Sequence, residues 1–133
     1  MNRLDCFNLV AATILQRLLE SFPQPVLLDT RAVLEELAAQ HPDCALGAGP
    51  GTPGNLAAWT LRFLVDEGFV RAGDTRGPAI PGCTLTAKGL STLQQRFAAL
   101  DPSPTLAGRL IEAGRLLAPD VAAAIVTRFL ASP

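Results

Sequence analysis

The sequence has few of the side chains on which most catalytic and metal sites depend. Its 133 residues include one histidine, three cysteines, one tryptophan and no tyrosine. A structural zinc site needs four ligands, and here His41 and Cys44 form the one candidate pair at close spacing. Residues 49–54 match G-x-G-x-x-G, but no buried strand precedes them, as a dinucleotide site would require. We therefore expect no enzyme activity, no cofactor and no metal.

Charge is also scarce. Charged residues make up 17% of the chain, against about 25% in an ordinary domain. Hydrophobic residues make up 49% and the mean hydropathy is +0.30, so the excess apolar surface has to be buried in a core or against another molecule. The longest uncharged stretch, residues 44–61, is broken by glycines and prolines, which excludes a continuous spanning helix. We expect no membrane partner.

The cysteines give an expectation about the compartment. Cys6, Cys44 and Cys83 are far apart and odd in number, which favours free, mostly buried thiols over a disulfide framework. Residues 7–15 are apolar, but charged residues flank them and no small-residue cleavage site follows, so they are interpreted as part of a core helix. We expect a cytoplasmic protein.

Hydrophobic spacing predicts a mainly α-helical chain. Apolar residues recur at helical spacing over residues 4–22, which leaves Asn8 and Gln16 for the wetter side of the first helix. Residues 26–28 form a short extended run. A second helix follows to about residue 40, and either Asp29 or Thr30 can cap it.

A small β-hairpin is predicted after a third helix. Thr52 followed by Pro53 predicts the start of that helix, and Gly68 its end in the left-handed conformation. Residues 69–72 and 80–85 then read as two strands joined by a turn. Pro81 predicts that part of the second strand is either at an edge or an irregular start, and Thr86 can cap a fourth helix.

The last third of the chain predicts two more helices, residues 105–117 and 120–131, divided at Pro119. We interpret residues 1–100 as one domain and residues 101–133 as a helical extension that either dimerises or completes the core. A homodimer is expected from the low overall charge. Its predicted interface is the apolar residues of the extension, Leu106, Leu110, Ile111, Leu117, Val121, Ile125 and Phe129.

The order of elements and two short motifs resemble a winged-helix domain of bacterial or phage type. Residues 56–71 resemble the recognition helix and first wing strand, because the helix ends in an acidic residue followed by Gly68 and turns directly into an apolar strand. Residues 84–90 resemble the Leu-Thr-x-x-Gly signature that closes the wing. The resemblance covers residues 4–100. It implies an α+β winged helix carrying a two-helix C-terminal extension.

The resemblance also implies a way of binding DNA, in which the third helix enters the major groove and the wing contacts phosphates. The implied contacts are Asn55, Thr60, Arg62, Arg71, Arg76 and Lys88. We therefore expect a small transcriptional regulator that binds double-stranded DNA as a dimer.

Charge and hydrophobicity also leave an alternative open. Residues 51–100 hold five basic and three acidic side chains, whereas a typical binder makes about 6–10 phosphate contacts. The third helix is apolar on more than one face, which favours burial, and Trp59 on it is expected to serve packing. The alternative is a winged-helix protein-interaction or assembly module that does not bind DNA.

Overall fold

The computed structural model of the chain describes residues 2–45, 55–74, 77–95, 105–115 and 117–131. The described part is mostly helical with a small antiparallel sheet, which confirms the predicted α+β class. The elements in chain order are α1 (Arg3–Ser21), β1 (Val26–Asp29), α2 (Thr30–Gln40), a 3-10 turn (Pro42–Cys44), α3 (Leu56–Asp66), β2 (Val70–Arg71), β3 (Ala79–Leu85), α4 (Ala87–Leu93), α5 (Leu106–Ala113) and α6 (Pro119–Leu130).

Local capping residues set the starts of several helices. Asn2 and Asp5 form a capping box at α1, in which each side chain accepts a hydrogen bond from the other's backbone N–H. The Asp29 carboxylate accepts from the first turn of α2, and the Thr86 hydroxyl accepts from the first turn of α4. The predicted caps of α2 and α4 are thus confirmed.

The predicted start of α3 is wrong, whereas its predicted end is confirmed. The helix begins at Leu56, and Asn55 is its N-cap, because the Asn55 Oδ1 accepts a hydrogen bond of 2.9 Å from the Ala58 N–H. Asparagine caps a helix at least as well as threonine. At the other end Gly68 adopts φ +84°, the left-handed exit expected of it. The G-x-G-x-x-G match and the proposed Thr52 cap lie outside the described residues.

The three strands form one antiparallel sheet in the order β1-β3-β2. Of the two outcomes predicted from Pro81, the edge is not found, because β3 is the central strand, whereas an irregularity near the start of β3 is. The pairing of β3 with β1 shifts by one residue at Pro81 and Gly82, with Gly82 at φ +66°. A bulge of this kind leaves a residue outside the ladder, so the missing N–H of proline costs no hydrogen bond there.

Helix α1 lies at the centre of the molecule and packs against α2, α3, β3, α5 and α6. The prediction that Asn8 and Gln16 face water is therefore wrong, since they are only 7% and 4% exposed. The Gln16 Nε2 donates to the carbonyls of Leu110, at 2.7 Å, and Gly114, at 2.5 Å. These are carbonyls at the end of α5 that no helical N–H can reach. Gln16 thus holds α5 onto α1.

The C-terminal helices complete the core of their own chain. This corrects the predicted dimer interface, because five of its seven residues are buried against the same chain: Leu106, Leu110, Leu117, Ile125 and Phe129. Val121 is half-buried and packs against that core, while Ile111 is 65% exposed. The apolar side of an amphipathic helix has to be buried, and α1 buries the apolar sides of α5 and α6.

The expectation of three free thiols is wrong for two of them. Cys6 of α1 and Cys44 of the 3-10 turn form a disulfide, with their Cα atoms 5.3 Å apart. That distance is ordinary for a bridge, but it arises only when the fold brings together residues separated by 38 positions. Cys83 is free and buried. Burial raises the pKa of its thiol, partly offset by a backbone hydrogen bond from Leu28.

The junction between β2, β3 and α4 is tightly packed. The Thr86 N–H donates to the Phe69 carbonyl at 3.1 Å, and the Thr86 hydroxyl donates to the Gly68 carbonyl at 2.6 Å. Gly89, in the first turn of α4, lies against the backbone of Phe69, the residue before β2. A Cβ atom at Gly89 would be 2.2 Å from the Phe69 carbonyl oxygen. The glycine of the Leu-Thr-x-x-Gly motif is therefore required by this close approach.

Candidate interaction surface

Helix α3 packs one side against α1 and α2 and leaves the other side exposed. Leu61 and Leu64 are buried on the inner side. On the outer side Trp59 is 49% exposed and Phe63 is 38% exposed. Trp59 was predicted to serve packing, and about half of its side chain is buried while the other half is exposed.

An apolar groove lies between α1 and α3. It is lined by Leu4 and Phe7 of α1 and by Trp59 and Phe63 of α3, and we call these four residues the α1–α3 face. Leu4 is 64% exposed. The rings of Phe7 and Phe63 meet edge to face, with centroids 5.6 Å apart and planes at 84°, a geometry that aromatic pairs favour. Arg3 lies at the rim of the groove.

The α1–α3 face is large enough to be functional. If a large apolar side chain has about 200 Å² of surface, the exposed parts of Leu4, Trp59 and Phe63 come to about 300 Å². The largest apolar patch of a monomeric protein is about 300–600 Å² and often marks a binding site. Isolated exposed residues such as Leu27 and Ile111 form no comparable patch among the described residues.

Two of the side chains predicted to contact DNA are buried. Asn55 is 6% exposed and caps α3. Thr60 is 1% exposed, and its hydroxyl donates to the Leu56 carbonyl at 2.7 Å. Both side chains are occupied by the backbone of α3, so neither presents a polar group to an outside partner.

Two of the basic residues predicted to contact DNA, Arg62 and Lys88, have contacts within the chain. Arg62 is exposed and lies 3.7 Å from the Asp66 carboxylate one turn along α3. The Lys88 ammonium donates to the Glu67 carbonyl at 2.9 Å and lies 4.5 Å from the centre of the Phe69 ring. It therefore satisfies the C-terminal end of α3, where a cation is favoured. Arg71 is exposed on β2. Arg76 lies outside the described residues.

Charges on this side of the molecule balance among the described residues. Three basic residues are exposed on α3, β2 and α4, namely Arg62, Arg71 and Lys88. Three acidic residues are exposed on α3 and in the segments on either side of β2, namely Asp66, Glu67 and Asp74. The net charge of these six is zero, so the described part of this surface offers no basic patch for a phosphate backbone.

A polar cluster on the opposite side of α1 has a structural role. Arg17 of α1 and Arg115 after α5 both contact the carboxylate of Glu36 in α2, and the Arg115 Nη1 is 3.6 Å from it. Both guanidinium groups contact one carboxylate, so the three side chains together carry a net charge of +1. The cluster joins α2 and the segment after α5 to α1.

Other kinds of site find no support in the described ranges. No group of three or more histidine, cysteine, aspartate or glutamate residues is placed there to hold a metal ion. None of the helices described is long and apolar enough to cross a membrane.

Leu4 and Phe7 were missed as surface residues because they continue the apolar stripe of α1. The sequence did contain one indication of an exposed apolar surface. The apolar residues of the third helix extend around more of the helix than a single buried side accounts for.

Comparisons with known proteins identify no relative. Protein-family models, curated proteins and solved structures all give no match to this chain.

Proposed function

We propose that this chain is a winged-helix protein-interaction module whose binding surface is the α1–α3 face. The observation that carries the proposal is that the exposed side of α3 presents Trp59 and Phe63 next to Leu4 of α1. Buried aromatic anchors surrounded by a polar rim are characteristic of protein–protein interfaces.

The winged-helix assignment is supported by the order of elements and by the junction at α4. A helix, a strand, two helices, a hairpin and a further helix follow one another, and the first strand extends the hairpin sheet. Gly68, Thr86 and Gly89 have the conformations and contacts that the motif residues of such a domain would need.

A DNA-binding regulator is the competing proposal, and the charges oppose it. Six to ten phosphate contacts are typical of a binder, whereas among the described residues around α3 and the hairpin three exposed basic side chains are balanced by three acidic ones. Asn55, one of the base-reading side chains in the predicted set, is buried as the cap of α3.

The cytoplasmic location is also a proposal: the odd number of cysteines supports it, and the Cys6–Cys44 bridge opposes it. Disulfides persist in oxidising compartments, and Cys6 is bridged to Cys44. The redox state of this pair, trapped by alkylation when the cells are lysed, decides between the two kinds of compartment.

Titration of a labelled mixed-sequence duplex at about 50 and about 200 mM salt tests the function. We expect no complex at micromolar protein, and no difference between the wild type and Arg62→Ala. Binding that falls steeply with salt and is weakened by Arg62→Ala would overturn the proposal.

A second probe tests the α1–α3 face itself. Anilinonaphthalene sulfonate is added to dilute, folded protein, and energy transfer from Trp59, the only tryptophan, reports dye bound beside it. We expect transfer in the wild type and its loss in Phe63→Ser. Equal transfer in the wild type and Phe63→Ser would exclude this face as the apolar binding surface.

A further inference from the structure

The exposed side of α3 carries a regular stripe of four side chains. Trp59, Arg62, Phe63 and Asp66 lie at positions i, i+3, i+4 and i+7 and therefore on one side of the helix. The Arg62 and Asp66 side chains are 74% and 66% exposed. This is the spacing that a second helix contacts when it packs lengthwise against the first.

Among the described residues, the segment after β2 (residues 72–74) borders this stripe and shares a groove with Trp59, Arg62 and Asp66, but it leaves these side chains about half or more exposed. The opposite side of α3 packs on α1 and α2, and β2 follows it at its C-terminal end. The C-terminal helices, which were expected to be free for pairing, instead lie on α1. The apolar surface left for an interface is therefore on α3 and the adjoining turn of α1.

The charges of the stripe complement a second copy of themselves. Arg62 and Asp66 carry opposite charges one helical turn apart, so the stripe has no net charge to select an acidic or a basic partner. If two copies of α3 run antiparallel about a two-fold axis level with Leu64, one residue from Phe63, each Arg62 lies level with Asp66 in the other copy. The 3.7 Å contact within one chain is long and exposed, so exchanging partners costs little.

The size of the face fits the centre of a dimer interface. A standard interface buries about 800 Å² on each partner, with a more apolar centre and a polar rim. The apolar area of about 300 Å² supplies such a centre, and Arg3, Arg62 and Asp66 supply part of the rim. A two-fold interface uses the same patch on both subunits, so the α1–α3 face can be the binding surface of both copies.

We infer that the partner of the α1–α3 face is a second copy of this chain, paired through antiparallel α3 helices. The inference rests on the proposed function and names its partner. It moves the predicted homodimer from the C-terminal helices to α3.

Sedimentation velocity over a concentration series tests the inference. We expect the mass to rise from the monomer value of 14.0 kDa toward twice that value. Phe63→Ser is expected to weaken association at least tenfold, because it removes the centre of the face. Ile111→Ser is the matched control: it also replaces an exposed apolar residue, but one on α5 outside the face, and should leave the mass unchanged.

A charge exchange tests the antiparallel arrangement. Arg62→Asp places acids opposite one another across the two-fold axis, and Asp66→Arg does the same with bases, so each should weaken association about tenfold or more. The double variant R62D/D66R restores opposite charges and should return the dissociation constant to within about threefold of the wild-type value. Circular dichroism of each variant confirms that it is folded.

Three results would overturn the inference: a wild-type chain that stays monomeric over the whole range, a dimer that Ile111→Ser disrupts, or a double variant as weak as the single ones. If the chain is monomeric, binds the dye next to Trp59 and does not bind the duplex, the proposed function is retained and the partner is a different protein. Duplex binding that depends on Arg62 removes the proposed function itself.

Discussion

Gly89→Ala is a sharp test of the packing between α4 and the strand that follows α3. In a helix interior, glycine to alanine ordinarily stabilises a protein by about 1 kcal/mol. Here the added Cβ would lie 2.2 Å from the Phe69 carbonyl oxygen and 3.1 Å from the carbonyl carbon. These are backbone atoms, which cannot rotate away, so α4 has to move by about 1 Å to reach ordinary contact distance.

The cost follows from what that movement disturbs. Overpacking typically costs about 1–3 kcal/mol, and the hydrogen bond from the Thr86 N–H to the Phe69 carbonyl is worth about 1 kcal/mol. After subtracting the gain in helix propensity, we expect Gly89→Ala to lower the free energy of unfolding by about 1–3 kcal/mol.

Urea denaturation followed by circular dichroism measures this loss. Gly108→Ala in α5 is the control, because there the Cβ meets only the Thr105 hydroxyl, at 3.1 Å, and a side chain can shift. We expect the control to stay within about 1 kcal/mol of the wild type. A Gly89→Ala protein as stable as the wild type would refute the close approach of α4 to Phe69.

Three further predictions concern the core and the termini of helices. A thiol assay on unfolded protein should find one reactive thiol before reduction and three after it, and three thiols before reduction would exclude the bridge. The Cys6–Cys44 bridge closes a loop of 38 residues, so its loss should lower the free energy of unfolding by about 4 kcal/mol. Leu110→Ala should cost about 2–5 kcal/mol at every protein concentration, whereas a cost that varies with concentration would return this residue to a dimer interface. Lys88→Met should lower the free energy of unfolding by about 1 kcal/mol relative to Arg71→Met, and equal effects would contradict its contact with the end of α3.

The local features of this fold could be predicted because their causes lie within a few residues. Asp29 and Thr86 cap their helices with the backbone N–H groups that follow them, and Gly68 ends α3 because it adopts a conformation that other residues avoid. Such preferences act whatever the rest of the chain does.

The misplaced features depend on contacts between distant parts of the chain. An apolar stripe indicates that a helix side is buried, but not which element buries it. The stripes of the last two helices therefore fitted a dimer as well as the observed packing on α1. The Cys6–Cys44 pair was hidden for the same reason, and Gln16 was assigned to water because its partners are carbonyls almost a hundred residues away.

The sequence drew attention to the third helix but not to the side chains that form the α1–α3 face. The third helix was correctly identified as unusually apolar, yet its polar residues were assigned outward by type alone. The side chains of Asn55 and Thr60 instead hydrogen-bond to the backbone of α3. The Asn55 side chain accepts from the Ala58 N–H at the start of the helix, and the buried Thr60 hydroxyl donates to the Leu56 carbonyl. Trp59 turns halfway outward because the inner side of α3 is already filled by leucines.

Acrylamide quenching of the single tryptophan tests the central claim most directly, since Trp59 lies in the α1–α3 face. The quenching constant is measured over a protein concentration series, with and without a DNA duplex. The account predicts that quenching falls as protein concentration rises, that Phe63→Ser abolishes this protection, and that the duplex changes nothing. Quenching that is independent of protein concentration but falls when duplex is added would contradict it.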